Sequence, residues 1–185
     1  MKREMSSAEE ALIERCLQQD SGAQKTLYET YANRMYAICM RYADNPDTAK
    51  DLLQEGFIRV FRALPGFRKE GSFEGWMKRI FVNNCIEYYR SKRNQPWFSD
   101  VDEAVGIQAD DHTFSNFGLD ELLGLIRQLP DGYRTVFNMY AIEGYAHKEI
   151  AAQLGISENT SKTQLLKARL MLQRLIAEKG GSRFA

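Results

Sequence analysis

The sequence is short of the groups that carry out bond chemistry. Two histidines, His112 and His147, and three cysteines, Cys16, Cys39 and Cys85, are spread over 185 residues. No two cysteines form a CxxC pair, and an odd count does not fit a disulfide framework, so three ordinary buried thiols in a reduced compartment are expected. Neither histidine has a partner at metal-ligand spacing, which excludes a zinc site and histidine-based catalysis from the expectations. There is no P-loop and no nucleophile beside a base. A protein that is not an enzyme, with no cofactor and no metal, is therefore expected. Long apolar runs are missing as well. None approaches the ~20 residues that span a bilayer, and the segment MKREMSSAEEALIERCLQQD has no apolar stretch ahead of a small-residue cleavage site. Neither membrane insertion nor a secretion signal is expected, and the protein is placed in the cytoplasm. Finally, there is no excess of one charge: the formal net charge is zero, which taken alone argues against a nucleic-acid partner.

The distribution of charge reverses that argument. Between Pro96 and Gly118 the charged residues are Asp100, Asp102, Glu103, Asp110 and Asp111, with no Lys or Arg. Residues 1–95 hold sixteen cations against thirteen carboxylates, and residues 119–185 hold nine against seven. An acidic connector thus hides two mildly basic modules from the whole-chain sum. Segment 96–118 also lacks a helical period and is rich in turn formers, and it is longer than loops inside compact domains usually run. It reads as a flexible acidic linker between two domains, 1–95 and 119–185.

Both flanks read as helix throughout, so an all-α protein of two small helical bundles is expected. Ser7, with Glu10 three residues on, fits a capping box ahead of Leu12, Ile13, Cys16 and Leu17. Asp20-Ser21-Gly22 interrupts that helix. A second, from about Ala23 to Ala43, carries Leu27, Tyr31, Met35, Ile38 and Tyr42 on one stripe. Asn45-Pro46-Asp47 supplies a cap, a residue suited to N1 and an acid for the helix dipole. The third helix turns Leu52, Leu53, Phe57, Val60 and Phe61 inward and ends near Leu64-Pro65-Gly66. Ser72 caps a long fourth helix reaching about Arg93. Beyond the linker, helices are expected at about 119–129, 131–143, 146–153 and 157–176, with no strand long enough to assign.

The sharpest motif is YAHKEIAAQLGISENTSKTQL, residues 145–165. A helix-turn-helix needs a small residue where its helices cross, here Ala151, and a residue that tolerates positive φ at the turn, here Gly155. Ile150, Leu154, Ile156 and Leu165 supply the inward face, and Ser157 caps the second helix. That helix is expected to present Glu158, Asn159, Thr160, Lys162, Thr163, Gln164 and Lys167 outward. Such groups read base edges in a major groove, while cations hold phosphates.

The first domain has two further features, each with a plainer reading. Asp51, Gln54, Glu55 and Arg59 fall at i, i+3, i+4 and i+8 on one helix face. They form either a solvated surface or a docking face for a partner protein. In the block from Phe67 to Arg93, cations and aromatics interleave. Cations can track a single-stranded backbone, amides can bond an exposed base and aromatics can stack on it. Phe67, Arg68, Lys69, Lys78, Arg79, Asn83, Asn84, Arg90 and Arg93 are the candidates, and the loop 66–72 is the best place for an extruded base. Trp76, Ile80, Phe81 and Tyr88 read mostly as core.

The order of these pieces resembles the extracytoplasmic-function sigma factors of bacteria. The resemblance rests on the DLLQEGF helix, the GSFEGWMKRIFVNNCIEYYRSKR block, the acidic linker and LPDGYRTVFNMYAIEGYAHKEIAAQLGIS with the helix after it. It implies a factor that binds core RNA polymerase, directs it to promoters and helps to melt them. Asp51, Gln54 and Glu55 would then meet the clamp helices of the largest polymerase subunit. Residues 66–93 would recognise and open the minus-ten element, with loop 66–72 capturing a non-template base. The second helix of the helix-turn-helix would read the minus-thirty-five element as duplex, and the acidic linker would thread the basic channel of the polymerase. An anti-sigma partner is implied as well. Three positions depart from the family pattern: Glu87 replaces a more usual Asp, Ser161 an apolar packing residue and Gln164 a cation. The alternative is a conventional helix-turn-helix regulator whose N-terminal helices sense a ligand or dimerise.

Overall fold

A computed structural model describes residues 6–93 and 119–182, and the side chains of residues 6–92 and 121–179. The acidic segment 96–118 and His112 lie outside the described residues. All regular structure among the described residues is helical, in keeping with the all-α expectation. The chain divides into two compact units, Met1–Glu87 and Tyr88–Ala185.

The first unit contains α1 (Ser7–Leu17), α2 (Ser21–Tyr42), α3 (Pro46–Ala63), a 3-10 turn at Leu64–Gly66 and most of α4 (Phe73–Arg93). Local chemistry fixes each start. Ser6, not Ser7, caps α1 and accepts from Glu9 N–H at 3.2 Å. The cap is thus displaced by one residue, and the expected box does not form. Glu9 does not reach back to the cap, because its carboxylate accepts from the hydroxyl of Tyr31 on α2. Burial, and then that carboxylate, pushes the Tyr31 phenol well above the usual range. Asp20 caps α2 through Ala23 N–H at 3.0 Å, and Asn45 caps α3 through Thr48 N–H at 2.8 Å, with Pro46 in the first turn.

The core of this unit follows the helical period. Leu27, Met35 and Ile38 on α2, Leu52, Phe57 and Val60 on α3, and Met77, Phe81 and Cys85 on α4 are all buried. Each large apolar side chain so buried contributes about 1.5–3 kcal/mol. Helices α3 and α4 approach closely at Gly56, where an added Cβ would lie 2.2 Å from the Phe81 ring. Phe81 packs edge-on against Phe57, with centroids 5.3 Å apart. Cys16, Cys39 and Cys85 are all buried.

The second unit contains α5 (Leu119–Ile126), α6 (Asp131–Phe137), a π-helical turn at Asn138–Ile142, α7 (His147–Leu154) and α8 (Glu158–Ser182). Its core holds Leu125, Leu129, Val136, Met139, Ile150, Leu154, Leu165, Ala168 and Leu172. Arg134 is buried, yet its guanidinium has an electrostatic and hydrogen-bonding role. It donates to the Arg127 carbonyl at 3.2 Å, at the end of α5, and to the Asp131 carboxylate at 2.7 Å. A cation is favoured there because the last carbonyls of a helix lack intrahelical partners. The π turn closes through Glu143 N–H on Asn138 O at 3.0 Å and passes the chain toward α7.

Candidate nucleic-acid interface

In the second unit, α7 and α8 form the expected helix-turn-helix. Glu149 accepts from Ala146 N–H at 2.8 Å and so satisfies a donor at the start of α7. Gly155 adopts φ +65° and ψ +39°, the left-handed conformation in which a side chain is strained, and its N–H returns to the Ala151 carbonyl. Ser157 Oγ accepts from Thr160 N–H at 3.0 Å and starts α8. The caps therefore set the angle at which α8 leaves the turn.

Helix α8 has a sharp division of faces. Glu158, Asn159, Thr160, Lys162 and Thr163 are exposed. Glu158 pairs with Lys162 at 2.9 Å, one turn on, which orders both side chains on that face. Lys167 is half-buried, with its ammonium 5.9 Å from the centre of the Tyr133 ring. Gln164 corrects the expectation of an outward-facing reader. It is only 7 % exposed and shares the buried stripe with Ser161, Leu165 and Ala168. Space for its amide comes from Gly132 on α6, where an added Cβ would lie 3.2 Å from the Gln164 nitrogen.

Ser161 is fully buried and bonds His147 Nδ1 at 2.9 Å, joining α8 to the start of α7. The His147 ring stacks on Tyr140 at 4.5 Å. A polar brace thus occupies the site where an apolar contact was the usual pattern. Burial, then Lys162, holds His147 below the usual histidine range; Glu158 opposes this and Arg169 adds to it.

In the first unit, the loop before α4 is pinned at one end. The Phe67 ring packs 5.2 Å from Phe73 and 5.0 Å from Trp76, and those two stack at 5.5 Å. Phe67 is therefore an anchor of the loop rather than a free platform for a base. Beyond it Arg68, Lys69 and Glu70 are exposed, and Lys69 and Gly71 take φ of +57° and +104°. Lys69 lies 3.6 Å from Glu14. Both positive-φ residues fall within the three residues before the Ser72 cap.

On α4, Lys78 pairs with Glu74 at 3.0 Å, and Arg79 and Asn83 are exposed on one strip. Arg90 is also exposed, in the part of α4 that belongs to the second unit. The side chain of Arg93 lies outside the described ones. Asn84 is a second correction. It is 3 % exposed, and its amide donates to the Leu52 carbonyl of α3 at 3.1 Å. One residue rotates a helix by about 100°, so of two adjacent asparagines one faces solvent and the other clamps two helices.

On α3, Asp51 and Gln54 are exposed and Glu55 is half-exposed. Arg59 is not a free cation. It donates to Glu55 at 2.9 Å and to Glu87 on α4 at 2.5 Å. Ile58, 46 % exposed, lies on the same face. Sequence reasoning passed over it, although it is the apolar residue of α3 that falls off the buried stripe, at i+7 from Asp51 and i+4 from Gln54. An exposed aliphatic amid acids and an amide gives that face the mixed character of a protein interface.

A capped helix-turn-helix in one unit, and the exposed cations of a loop and helix in the other, define a helical DNA-binding protein. Comparison with known proteins agrees. Sigma-70 region 2 matches residues 27–95, and Sigma-70, region 4 matches residues 119–172. The ECF RNA polymerase sigma-E factor of Haemophilus influenzae is 28% identical over 180 residues, covering 91% of this chain and 95% of the relative. The ECF RNA polymerase sigma factor SigE of Mycolicibacterium smegmatis is 31% identical over 157 residues, covering 82% of this chain and 61% of the relative. Among solved structures, the sigma factor RpoE in complex with the anti-sigma factor NepR from Bartonella quintana aligns with a TM-score of 0.49 and 19% identity, over 83% of this chain and 96% of that one. The chain belongs to the extracytoplasmic-function group of the sigma factor superfamily.

Proposed function

We propose that this sigma factor divides promoter recognition between its two units and does so by binding alone. The N-terminal residues 1–95 dock on the clamp helices of the largest subunit of core RNA polymerase through Asp51, Gln54 and Glu55, with Ile58 as the apolar centre. The loop 66–72, with Arg68 and Lys69, takes an extruded base of the minus-ten element, while Arg79, Asn83 and Arg90 hold the unpaired strand. In residues 119–185, Asn159, Thr160, Lys162 and Thr163 read the minus-thirty-five duplex from the major groove.

The observation that carries this reading is the match of both sigma-70 regions, in order, to the segments that hold these surfaces. The physics supports the division. Base extrusion costs a few kcal/mol, more than a small loop offsets by itself. Tethering both units to one polymerase makes each weak DNA contact act at high effective concentration. An anti-sigma factor that covers the docking face would hold the protein inactive in the cytoplasm. Among the described residues no helix is long and apolar enough to cross a membrane.

The test is charge reversal on the docking face. Asp51→Lys or Glu55→Lys should weaken binding to core polymerase at least tenfold while leaving duplex binding by the C-terminal unit intact. Holoenzyme formation at wild-type affinity by both variants refutes the assignment.

A further inference from the structure

Arg59 joins two surfaces that the proposed function treats as separate. Its guanidinium donates through Nε to Glu55 Oε1 at 2.9 Å and through Nη1 to Glu87 Oε2 at 2.5 Å. Glu55 lies on the α3 face with Asp51, Gln54 and Ile58. Glu87 lies on α4 one turn beyond Asn83 and two beyond Arg79, and all three are exposed. A planar guanidinium can hold two carboxylates at once through its fixed fork of donors, which an ammonium does less well. Shared between two carboxylates, it leaves one negative charge uncompensated, partly on the face offered to the polymerase and partly on the strip offered to the strand.

We propose that Arg59 is a positioning residue that couples polymerase docking to capture of the unpaired promoter strand. A cationic group of the polymerase that pairs with Glu55 takes over one of the two carboxylates. The guanidinium is then left to Glu87 alone and neutralises it beside Asn83. Without that neutralisation, Glu87 repels the phosphates that the strip must hold. The docked protein therefore offers a less acidic strand-binding face than the free one, through a single side chain. The inference rests on the assignment of these faces proposed above.

The experiment uses the full chain assembled with core polymerase. The probe is a fluorescein-labelled single strand with the non-template minus-ten sequence of a promoter that the wild-type holoenzyme selects in run-off transcription. Arg59→Ala should weaken strand binding about three- to fivefold, the range expected of an exposed charge pair. Glu87→Gln placed on Arg59→Ala should restore it to within about twofold of wild type. Both proteins carry the same truncated side chain, so a folding defect would affect both alike and would show no rescue. Arg59→Lys should fall between wild type and Arg59→Ala, because an ammonium lacks the fork. Wild-type strand binding by Arg59→Ala, or a double variant as weak as the single one, overturns the coupling and leaves the functional reading standing. A wild-type chain that assembles no strand-binding holoenzyme overturns both.

Discussion

Asn83 and Asn84 are adjacent, chemically identical and both eligible for DNA contact by sequence, but the fold exposes the first and buries the second. Truncating Asn84 to Ala removes the amide that donates to the Leu52 carbonyl at 3.1 Å from a site that is 3 % exposed. The hydrogen bond contributes about 0.5–1.5 kcal/mol net. The carbonyl lies inside α3 and keeps its own helical donor, so it is not orphaned, and that limits the cost. With the small void left by the amide, the loss should total about 1–2 kcal/mol. For a unit of this size each kcal/mol lowers the melting temperature by about 4–8 °C. Asn84→Asp should cost more, because it sets a carboxylate against a carbonyl in a buried site. Asn83→Ala, on the exposed strip, should change stability by no more than about 0.5 kcal/mol yet impair promoter opening. Urea denaturation followed by circular dichroism measures the first effect, and fluorescence of 2-aminopurine in the minus-ten element measures the second. An Asn84→Ala protein as stable as wild type, or a destabilised Asn83→Ala protein, would refute the division.

Three further outcomes follow from the packing. Gly56→Ala should destabilise the N-terminal unit. Its Cβ would lie 2.2 Å from the fully buried Phe81 ring, and overpacking of about 1–3 kcal/mol outweighs the ~1 kcal/mol gained in helix propensity; a rise in urea midpoint contradicts this. Gln164→Leu should stabilise the C-terminal unit by about 1 kcal/mol, because Gln164 Oε1 is buried with no hydrogen-bond partner among the described residues. It should leave promoter choice unchanged, whereas Lys162→Ala should alter it; promoter-mutant profiles read both. His147 is held below its unfolded value, so its neutral form is favoured by the fold. Its contribution is full above the ordinary histidine value of about 6.5 and is lost as pH falls through the folded value. Thermal melts of the C-terminal unit should therefore drop as pH falls below about 6.5, and His147→Gln should flatten that slope.

Features written in a short window were legible in the sequence. The apolar stripe of α2, the Asn45-Pro46 start of α3, the Ser72 cap and the Gly155 turn all follow from local spacing and cap chemistry. Facing was less legible. Gln164 carries a polar group on the buried stripe of α8, and nothing before it in the motif reveals that Gly132, on another helix, leaves it room. Phe67 was readable as an aromatic in a loop, but its packing on Phe73 and Trp76 depends on the path of that loop. Ser6 and Ser7 both suit a cap, and spacing alone does not show that Tyr31, on a different helix, takes the Glu9 carboxylate that a box on Ser6 would use. The Arg59–Glu87 pair spans 28 residues, and helical spacing carries no signal at that range.

Run-off transcription from a genomic fragment library, with core polymerase alone and with core polymerase plus the full chain, tests the central claim most directly. Discrete new start sites should emerge only when the chain is present, and they should share two sequence elements at fixed spacing. Transcripts that are identical with and without the chain would contradict the account.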